Sequence, residues 1–398
     1  MRRLLLLASA VVFFDTLFFA VLTPLLPHYV RELDMGKTGA GVLAAAYPAG
    51  ALVGAVPSGI VAGRLGMKRS VVVGLSLVGV CTVAFGLADQ AWQLDLARFL
   101  QGIASAFSWT GALGWFVSEA PPERRGSLIG QAFAAAVGGS LFGPVVGGIA
   151  SVVGIAVTFA AVAGLSLGLV AWTLGTEARR PPQPQSPRAL VDALRDRHML
   201  GGFWFVVLPS LLFGVLDVLA PLRLAALGLG AIAIGAVFFS SALIDVGSNL
   251  VVGRAADRYG TLLPLAAGTG ASAVFAALLP WPDKAVALAV LVVVAGVAFG
   301  TLFTPAMALV TELAERRGLE YGYSAALINL AWAPGQAIGS AGGGALAHRT
   351  SDAVTYLCLS GVCALTLALL WRSRRSIAWT TPSARASSAS SSRIIDAA

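Results

Sequence analysis

Apolar residues along the chain come in stretches of about twenty, with short breaks of Pro, Gly and charge between them. A stretch of that length crosses ~30 Å of hydrocarbon as a single helix. The pattern predicts twelve helices, near 4–27, 39–63, 70–88, 92–118, 126–151, 155–175, 201–226, 229–252, 261–280, 285–312, 320–347 and 353–371. The expected fold class is therefore an all-α membrane protein with twelve transmembrane helices. Composition agrees: 57% of the 398 residues are hydrophobic, 12% are charged and mean hydropathy is +0.83, more apolar surface than one soluble core buries.

Basic residues set the orientation. With the N-terminus inside, 21 of the 27 Lys and Arg fall on the inner side, among them Arg2, Arg3, Arg64, Lys68, Arg69, Arg254 and Arg258. This asymmetry predicts a multi-pass protein of the cell membrane with both termini in the cytoplasm. The net charge of +8 then reads as topology and attraction to anionic lipid, with no nucleic-acid partner. The opening MRRLLLLASA resembles a signal peptide ending in an A-x-A site, but only four apolar residues precede Ala8 and the apolar run continues to Pro27, so cleavage is not expected. Cys81, Cys358 and Cys363 fall within predicted spans at no ligand spacing, so neither a metal site nor a disulfide framework is expected.

The sequence repeats itself. A shift of 194 residues places Pro27 on Pro221, Gly36 on Gly230, and GIVAGRLG (59–66) on GRAADRYG (253–260). VSEAPPERRG (117–126) matches VTELAERRG (310–318) at nearly the same shift. Six helices thus repeat as six helices, giving an N-terminal half (1–175), a Pro-rich charged cytoplasmic linker (176–200), a C-terminal half (201–371) and a Ser/Arg-rich disordered cytoplasmic tail (372–398).

Two six-helix halves around a cytoplasmic linker resemble the major facilitator superfamily. GIVAGRLGMKR is similar to that superfamily's signature between helices 2 and 3, RFLQG (98–102) to its helix 4 signature, and GGSLFGPVVGG (138–148) to the helix 5 signature of drug:proton antiporters. FFDTLFFAVLTPLLPHY and ARFLQGIASAFS resemble helices 1 and 4 of the vesicular monoamine transporters. The resemblance implies alternating access, a small-molecule substrate exchanged for protons, no cofactor and a monomer in lipid.

The motifs carry physical expectations of their own. Glycines in the helix 2–3 motif let helices approach closely, and a basic residue can bridge to a neighbouring helix end; Gly59, Arg64 and Gly66 supply this in the first half, Gly253, Asp257, Arg258 and Gly260 in the second. Arg64 is expected to close a charge-assisted contact in one conformation and release it in the other, the alternative being a plain positive-inside turn. Gly63 stands where the family usually has an acidic residue. In helix 5, Gly143, Gly147 and Gly148 remove side chains and Pro144 removes a donor, which suits either a seal against leak, as in the resembling antiporters, or ordinary small-residue packing.

Polar residues inside the spans carry the candidate chemistry. A carboxylate at a bilayer centre costs about 2.5–3.5 kcal/mol on insertion scales, so Asp15, near the middle of the first span, is functional or paired. The resemblance assigns its position to the substrate's ammonium. Arg98, Gln101, Ser105 and Trp109 follow on helix 4, where Arg98 lies at a depth suited to reaching Asp15. Asn329, Trp332 and Gln336 share a face of helix 11, and Ser241, Asp245, Ser248 and Asn249 share one of helix 8. Tyr47, Trp109, Trp115 and Trp332 are expected to line a cavity, or else to pack. The candidate substrate-binding set is Asp15, Arg98, Gln101, Trp109, Asn329 and Trp332. The candidate proton carriers are Asp217, Asp245 and Asp15. Phe303 and Asn329 occupy positions where the amine transporters carry acids, so a proton site is distributed differently here.

The expectation is a secondary active transporter exporting small cationic or lipophilic compounds in exchange for protons. A carrier of a neutral or anionic metabolite, such as a sugar or amino acid, is the alternative. An intramembrane enzyme is disfavoured: His28, His198 and His348 lie outside the spans, and no H-E-x-x-H, G-x-S-x-G or P-loop occurs.

Overall fold

The computed structural model describes residues 2–119, 125–177, 195–316 and 321–373. The linker's 178–194 and the tail's 374–398 lie outside the described residues. The helices are α1 (Arg2–Ala20), α2 (Leu22–Glu32), α3 (Lys37–Leu65), α4 (Met67–Gly86), α5 (Ala91–Glu119), α6 (Arg125–Val153), α7 (Ile155–Leu174), α8 (Arg197–Ala226), α9 (Ala231–Tyr259), α10 (Leu262–Leu278), α11 (Ala285–Gly300), α12 (Phe303–Arg316), α13 (Tyr321–Arg349) and α14 (Asp352–Ser373).

Helix is the only open-ended structure hydrocarbon tolerates, since it pairs its own backbone. Among the described residues, nine stretches are long and apolar enough to cross a membrane on composition alone. The pairs α1/α2 and α11/α12 each make one crossing, so the chain crosses twelve times. Of the three crossings absent from the nine, α10 has only 17 residues, and the central helices α5 and α13 spend polar residues inward: Arg98, Gln101, Ser105 and Ser108 are buried on α5, and Gln336 and Ser340 on α13. Neighbouring helices, in place of lipid, cover these faces.

Two spans expected to be continuous are broken, the first at Val21 and the tenth at Thr301–Leu302. Each break precedes a proline, Pro24 or Pro305. Proline has no N–H to give the carbonyl four residues back, and its ring crowds that carbonyl.

Within the first six spans, α1 lies on α6, α3 on α5, and α4 on α5 and α7; within the last six, α8 lies on α13, α9 on α11, and α10 on α14. The closest of these contacts repeat. Gly139, Gly143 and Gly147 on α6 receive the carbonyls of Phe13, Leu17 and Val21 so closely that no Cβ would fit. Gly335, Gly339 and Gly343 on α13, each 196 residues on, likewise meet the carbonyls of Val207 and Leu211 and the side chain of Val215 on α8. These three partners stand 194 residues after their counterparts, the shift found in the sequence.

The two sets of six meet along two seams, α3 on α13 and α6 on α9. Both seams carry contacts toward the face opposite the termini, the far face. Gly41 lies against the Ser340 carbonyl, and a Cβ on Gly235 would sit 2.6 Å from the Pro144 carbonyl. Charge distinguishes the seams. At the first, Lys37 Nζ lies 2.5 Å from Asp352 Oδ1, and the His348 imidazole rests on Gly36. At the second, the repeat-equivalent positions are apolar: Ala231, and Ile155, since AVTF (156–159) matches AVTY (353–356). Between described residues, no hydrogen bond, ion pair or ring contact joins the sets near the terminal face.

Motif expectations change accordingly. Gly59 and Gly253 are not points of close helix approach: a Cβ on either would meet nothing within 4 Å among the described residues. Gly66 and Gly260 have backbone reasons instead, with φ of 94° and 81° at the turns into α4 and α10. Arg64 is exposed and has no partner among the described residues, the Asp257 side chain lies outside them, and the Arg258 guanidinium covers the ring of its own neighbour Tyr259.

The glycine stripe predicts that Gly143→Val destabilises the protein by about 1–3 kcal/mol through overpacking. Gly164→Val, where a Cβ meets nothing within 4 Å, serves as the control. Thermal unfolding in detergent compares them, and equal midpoints would remove the stripe's structural role. The ionic seam predicts that Asp352→Lys loosens the far face, and that adding Lys37→Asp restores it. A partly exposed pair of this kind is worth up to about 1 kcal/mol, or about fivefold in population. Distances between spin labels on the α2–α3 and α13–α14 connections test this, and an unmoved distribution in Asp352→Lys would refute it.

Candidate functional site

Asp15 is the fourteenth residue of α1, at the end of its fourth turn, and is 3% exposed. One carboxylate oxygen, Oδ2, accepts from Ser105 Oγ at 2.6 Å, Trp109 Nε1 at 2.7 Å and Tyr47 Oη at 3.1 Å. Ser105 and Trp109 are one turn apart on α5, so a single helix face supplies two donors, and Tyr47 reaches in from α3. The other oxygen, Oδ1, is buried and has no hydrogen-bond partner among the described residues. One oxygen of the carboxylate is thus fully engaged and the other is not.

Arg98 does not pair with Asp15, contrary to the expectation from its depth. Its Nη1 donates to the Phe18 carbonyl at 2.9 Å and its Nη2 to the Phe19 carbonyl at 3.0 Å, both at the break in the first span. A planar fork of N–H groups fits two adjacent carbonyls loosened by that break. Arg98 also lies 4.9 Å from the Tyr47 ring centroid, and Nη1 is 3.4 Å from Gln101 Oε1. Gln101 in turn donates to Thr82 Oγ1 at 3.3 Å.

Aromatic rings link this cluster to the other six spans. Phe19 lies 5.4 Å from Tyr47 and 5.3 Å, edge-on, from Trp332 of α13. Five of the expected substrate residues therefore come together: Asp15, Arg98, Gln101, Trp109 and Trp332. Asn329 sits half-buried one turn before Trp332 with no hydrogen-bond partner among the described residues. Trp115 does not line a cavity with them. It is buried with Leu4, Leu7, Val11, Val71 and Ala112, where α1, α4 and α5 pack together near the terminal face.

The remaining carboxylates sit apart. Asp217 on α8 accepts from Gln336 Nε2 of α13 at 3.0 Å. Asp245 on α9 lies against Gly300 at the break in the tenth span, with Ser248 Oγ 3.4 Å from its Oδ1. Asn249, one turn on, accepts from Thr304 Oγ1 at 2.7 Å. Phe303 stacks on Phe213 at 6.0 Å, so an apolar ring fills the position where the resembling amine transporters carry an acid.

The Lys37–Asp352 contact and the two helix breaks are additions to the sequence reading. Pro24 and Pro305 were visible signals for the breaks. Nothing local marks an ion pair between residues 315 positions apart.

Comparisons with known proteins agree with this architecture. A family profile described as the Major Facilitator Superfamily matches residues 8–335, and again 218–394. YcaD of Escherichia coli, described as an uncharacterized MFS-type transporter, is 25% identical over 374 residues, spanning 93% of this chain and 96% of YcaD. Among solved structures, the xylose transporter XylE from E. coli in a partially occluded inward open conformation superposes with a TM-score of 0.75 at 13% identity, covering 93% of this chain and 98% of that one. The nucleoside transporter NupG gives 0.71 at 15% identity, covering 93% and 99%. At these identities the structures speak for the fold, and the profile speaks for descent. The chain belongs to the major facilitator superfamily: it is a multi-pass membrane protein of the secondary transporter class and not an enzyme.

Proposed function

We propose that the protein exports small organic cations, aromatic amines in particular, in exchange for protons by alternating access. The observation that carries this is the one-sided Asp15. Three donors fix Oδ2, one of them Tyr47, whose ring starts a chain through Phe19 to Trp332 that runs from one set of six spans to the other, while Oδ1 has no hydrogen-bond partner among the described residues. A carboxylate oxygen in low dielectric attracts a proton or an ammonium strongly. One oxygen takes one of them at a time, and mutual exclusion at a shared site is what an exchanger requires. The rings offer a flat apolar surface and cation–π contact to the rest of the substrate.

The reading of a sugar, amino acid or anion as substrate has less support. Arg98 is committed to two carbonyls, and Gln101 is bonded at both ends of its amide. The polar groups that would hold an anion or a polyol are already occupied.

Contacts between the two sets of spans at the far face suit an inward-facing state, with the terminal, Arg-rich side in the cytoplasm. XylE, to which the fold is similar, is described in an inward open conformation. Residues 1–175 and 201–371 then rock against each other, joined by 176–200, while 372–398 trails in the cytoplasm. The repeated glycine stripes support treating each half as a unit. Asp217, bonded only through Gln336 to the same helix that carries Trp332, is the proton carrier of the second half.

Asp15→Asn should weaken binding of aromatic primary amines by about 30-fold or more, since removing one partner of a buried charge pair costs about 2 kcal/mol or above. Asp15→Glu should retain part of it. Thermal-shift titration of purified protein reads both, and undiminished amine binding by the Asn variant would reject the amine site. In proteoliposomes, Asp217→Asn should lower accumulation driven by a pH gradient to what the one proton exchanged at Asp15 sustains, while preserving substrate exchange, which moves no net proton. Undiminished accumulation would exclude Asp217 as a carrier.

A further inference from the structure

Asp15 keeps its three donors only while α1 presents it to α3 and α5 at one rotation about its own axis. Side chains reach about 5–6 Å from a helix axis, so a turn of roughly 20° would carry the carboxylate about 2 Å. Hydrogen bonds of 2.6, 2.7 and 3.1 Å do not survive such a shift. The rotation of α1 therefore has to be held.

The glycine stripe alone is a poor lock. Gly139, Gly143 and Gly147 bring α6 against the backbone of α1, and a strip without side chains offers no ridges to interlock. The residue after Asp15 supplies what the stripe lacks. Thr16 Oγ1 lies 2.8 Å from the Ala136 carbonyl of α6, closer than the Val12 and Phe13 carbonyls of its own helix at 3.0 and 3.1 Å. The nearest acceptor for its one hydroxyl proton is thus across the helix contact. The same hydroxyl is seated on Gly139, where a Cβ would collide with it. Consecutive helical residues point about 100° apart, so with Thr16 fixed on α6, Asp15 is aimed at α3 and α5.

The repeat provides an internal comparison. At the shift of 194, Thr16 corresponds to Ser210, which lies on Gly335 as Thr16 lies on Gly139. Ser210 Oγ turns to the Val206 carbonyl of its own helix at 2.6 Å. The residue before it, in the place of Asp15, is Pro209. The hydroxyl is directed across the contact in the half that has a carboxylate to aim, and along its own helix in the half that has none.

We propose that Thr16 is a positioning residue for Asp15: its hydrogen bond to the Ala136 carbonyl fixes the rotation of α1 at which Oδ2 meets Ser105, Trp109 and Tyr47. Thr16→Val puts a methyl where the carbonyl oxygen stands 2.8 Å away, nearer than carbon approaches oxygen, so α1 has to turn or retreat. Thr16→Ser restores the hydroxyl. The consequence for ligand binding rests on the reading of Asp15 as the amine site; the geometry itself is tested without substrate.

The Trp109 indole N–H, which ends on Oδ2, reports that geometry. In purified full-length protein labelled with ¹⁵N at the tryptophan indoles, the Trp109 signal is identified by its loss in Trp109→Phe. Asp15→Asn should move it upfield, as a charge-assisted bond becomes a neutral one. Thr16→Val should move it the same way, and Thr16→Ser should leave it in place. Thr16→Ala gives the reading where the valine variant fails to fold. Thr269→Val, which removes a buried hydroxyl bonded within its own helix at 2.7 Å, is the control and should leave the signal in place even where it lowers the melting temperature. In thermal-shift titration with phenylethylamine, Thr16→Val should weaken binding about fivefold and add nothing in the Asp15→Asn background. A Trp109 signal unmoved by Thr16→Val and Thr16→Ala, or moved as far by Thr269→Val, would overturn the proposal. So would a Thr16→Val loss of affinity that persists in full in the Asp15→Asn background. A wild-type protein that does not bind phenylethylamine would count against the amine reading alone, and the indole signal would still decide Thr16.

Discussion

Hydrocarbon offers no water to a freed backbone carbonyl, so whatever interrupts a helix within the membrane must be answered by the protein itself. That constraint organises the centre of this molecule. Pro24 interrupts the first span, Arg98 answers the interruption, and Arg98 is thereby withdrawn from Asp15. The carboxylate is left to hydroxyl and indole donors that stabilise it without neutralising it. An uncompensated acid in the middle of the membrane thus follows from where a guanidinium had to go.

The second organising feature is repetition with local departures. Glycines at matching positions let α6 lie on α1 and α13 lie on α8, backbone against backbone, which stiffens each pair through close packing where no hydrophobic driving force acts between helices in lipid. The inter-set seams repeat as well, but only one carries an ion pair, between Lys37 and Asp352. Symmetric geometry with asymmetric chemistry lets the two seams be held with different strengths although their shapes match.

Much of this was legible in the sequence, for identifiable reasons. The twelve crossings show because a bilayer imposes a length and an apolar composition on each, and the repeat shows because glycine and proline are read residue by residue. Asp15 stands out because one carboxylate in an apolar run has no bland explanation. Its partners do not stand out, because the contact of Tyr47 with Asp15 depends on the rotation of α3 about its own axis, which periodicity leaves open. The pairing of Arg98 was misjudged for a related reason: depth along a helix suggested the nearest opposite charge, whereas the break created a competing acceptor that only the folded chain presents. Trp115 and Trp109 look alike in sequence, six residues apart on one helix, yet face opposite environments. The glycines of the helix 2–3 motif were read as packing points, but Gly59 and Gly253 face no close neighbour among the described residues, and Gly66 and Gly260 answer to backbone conformation instead.

The one-sided carboxylate at Asp15 also sets a thermodynamic ceiling. If a single oxygen passes between one proton and one monovalent amine, each cycle carries equal charge in both directions and the membrane voltage does no work on it. The steepest substrate ratio such a carrier sustains then equals the proton ratio, about tenfold per pH unit. Steeper accumulation would require a second ion to move with the cycle, and with it a current.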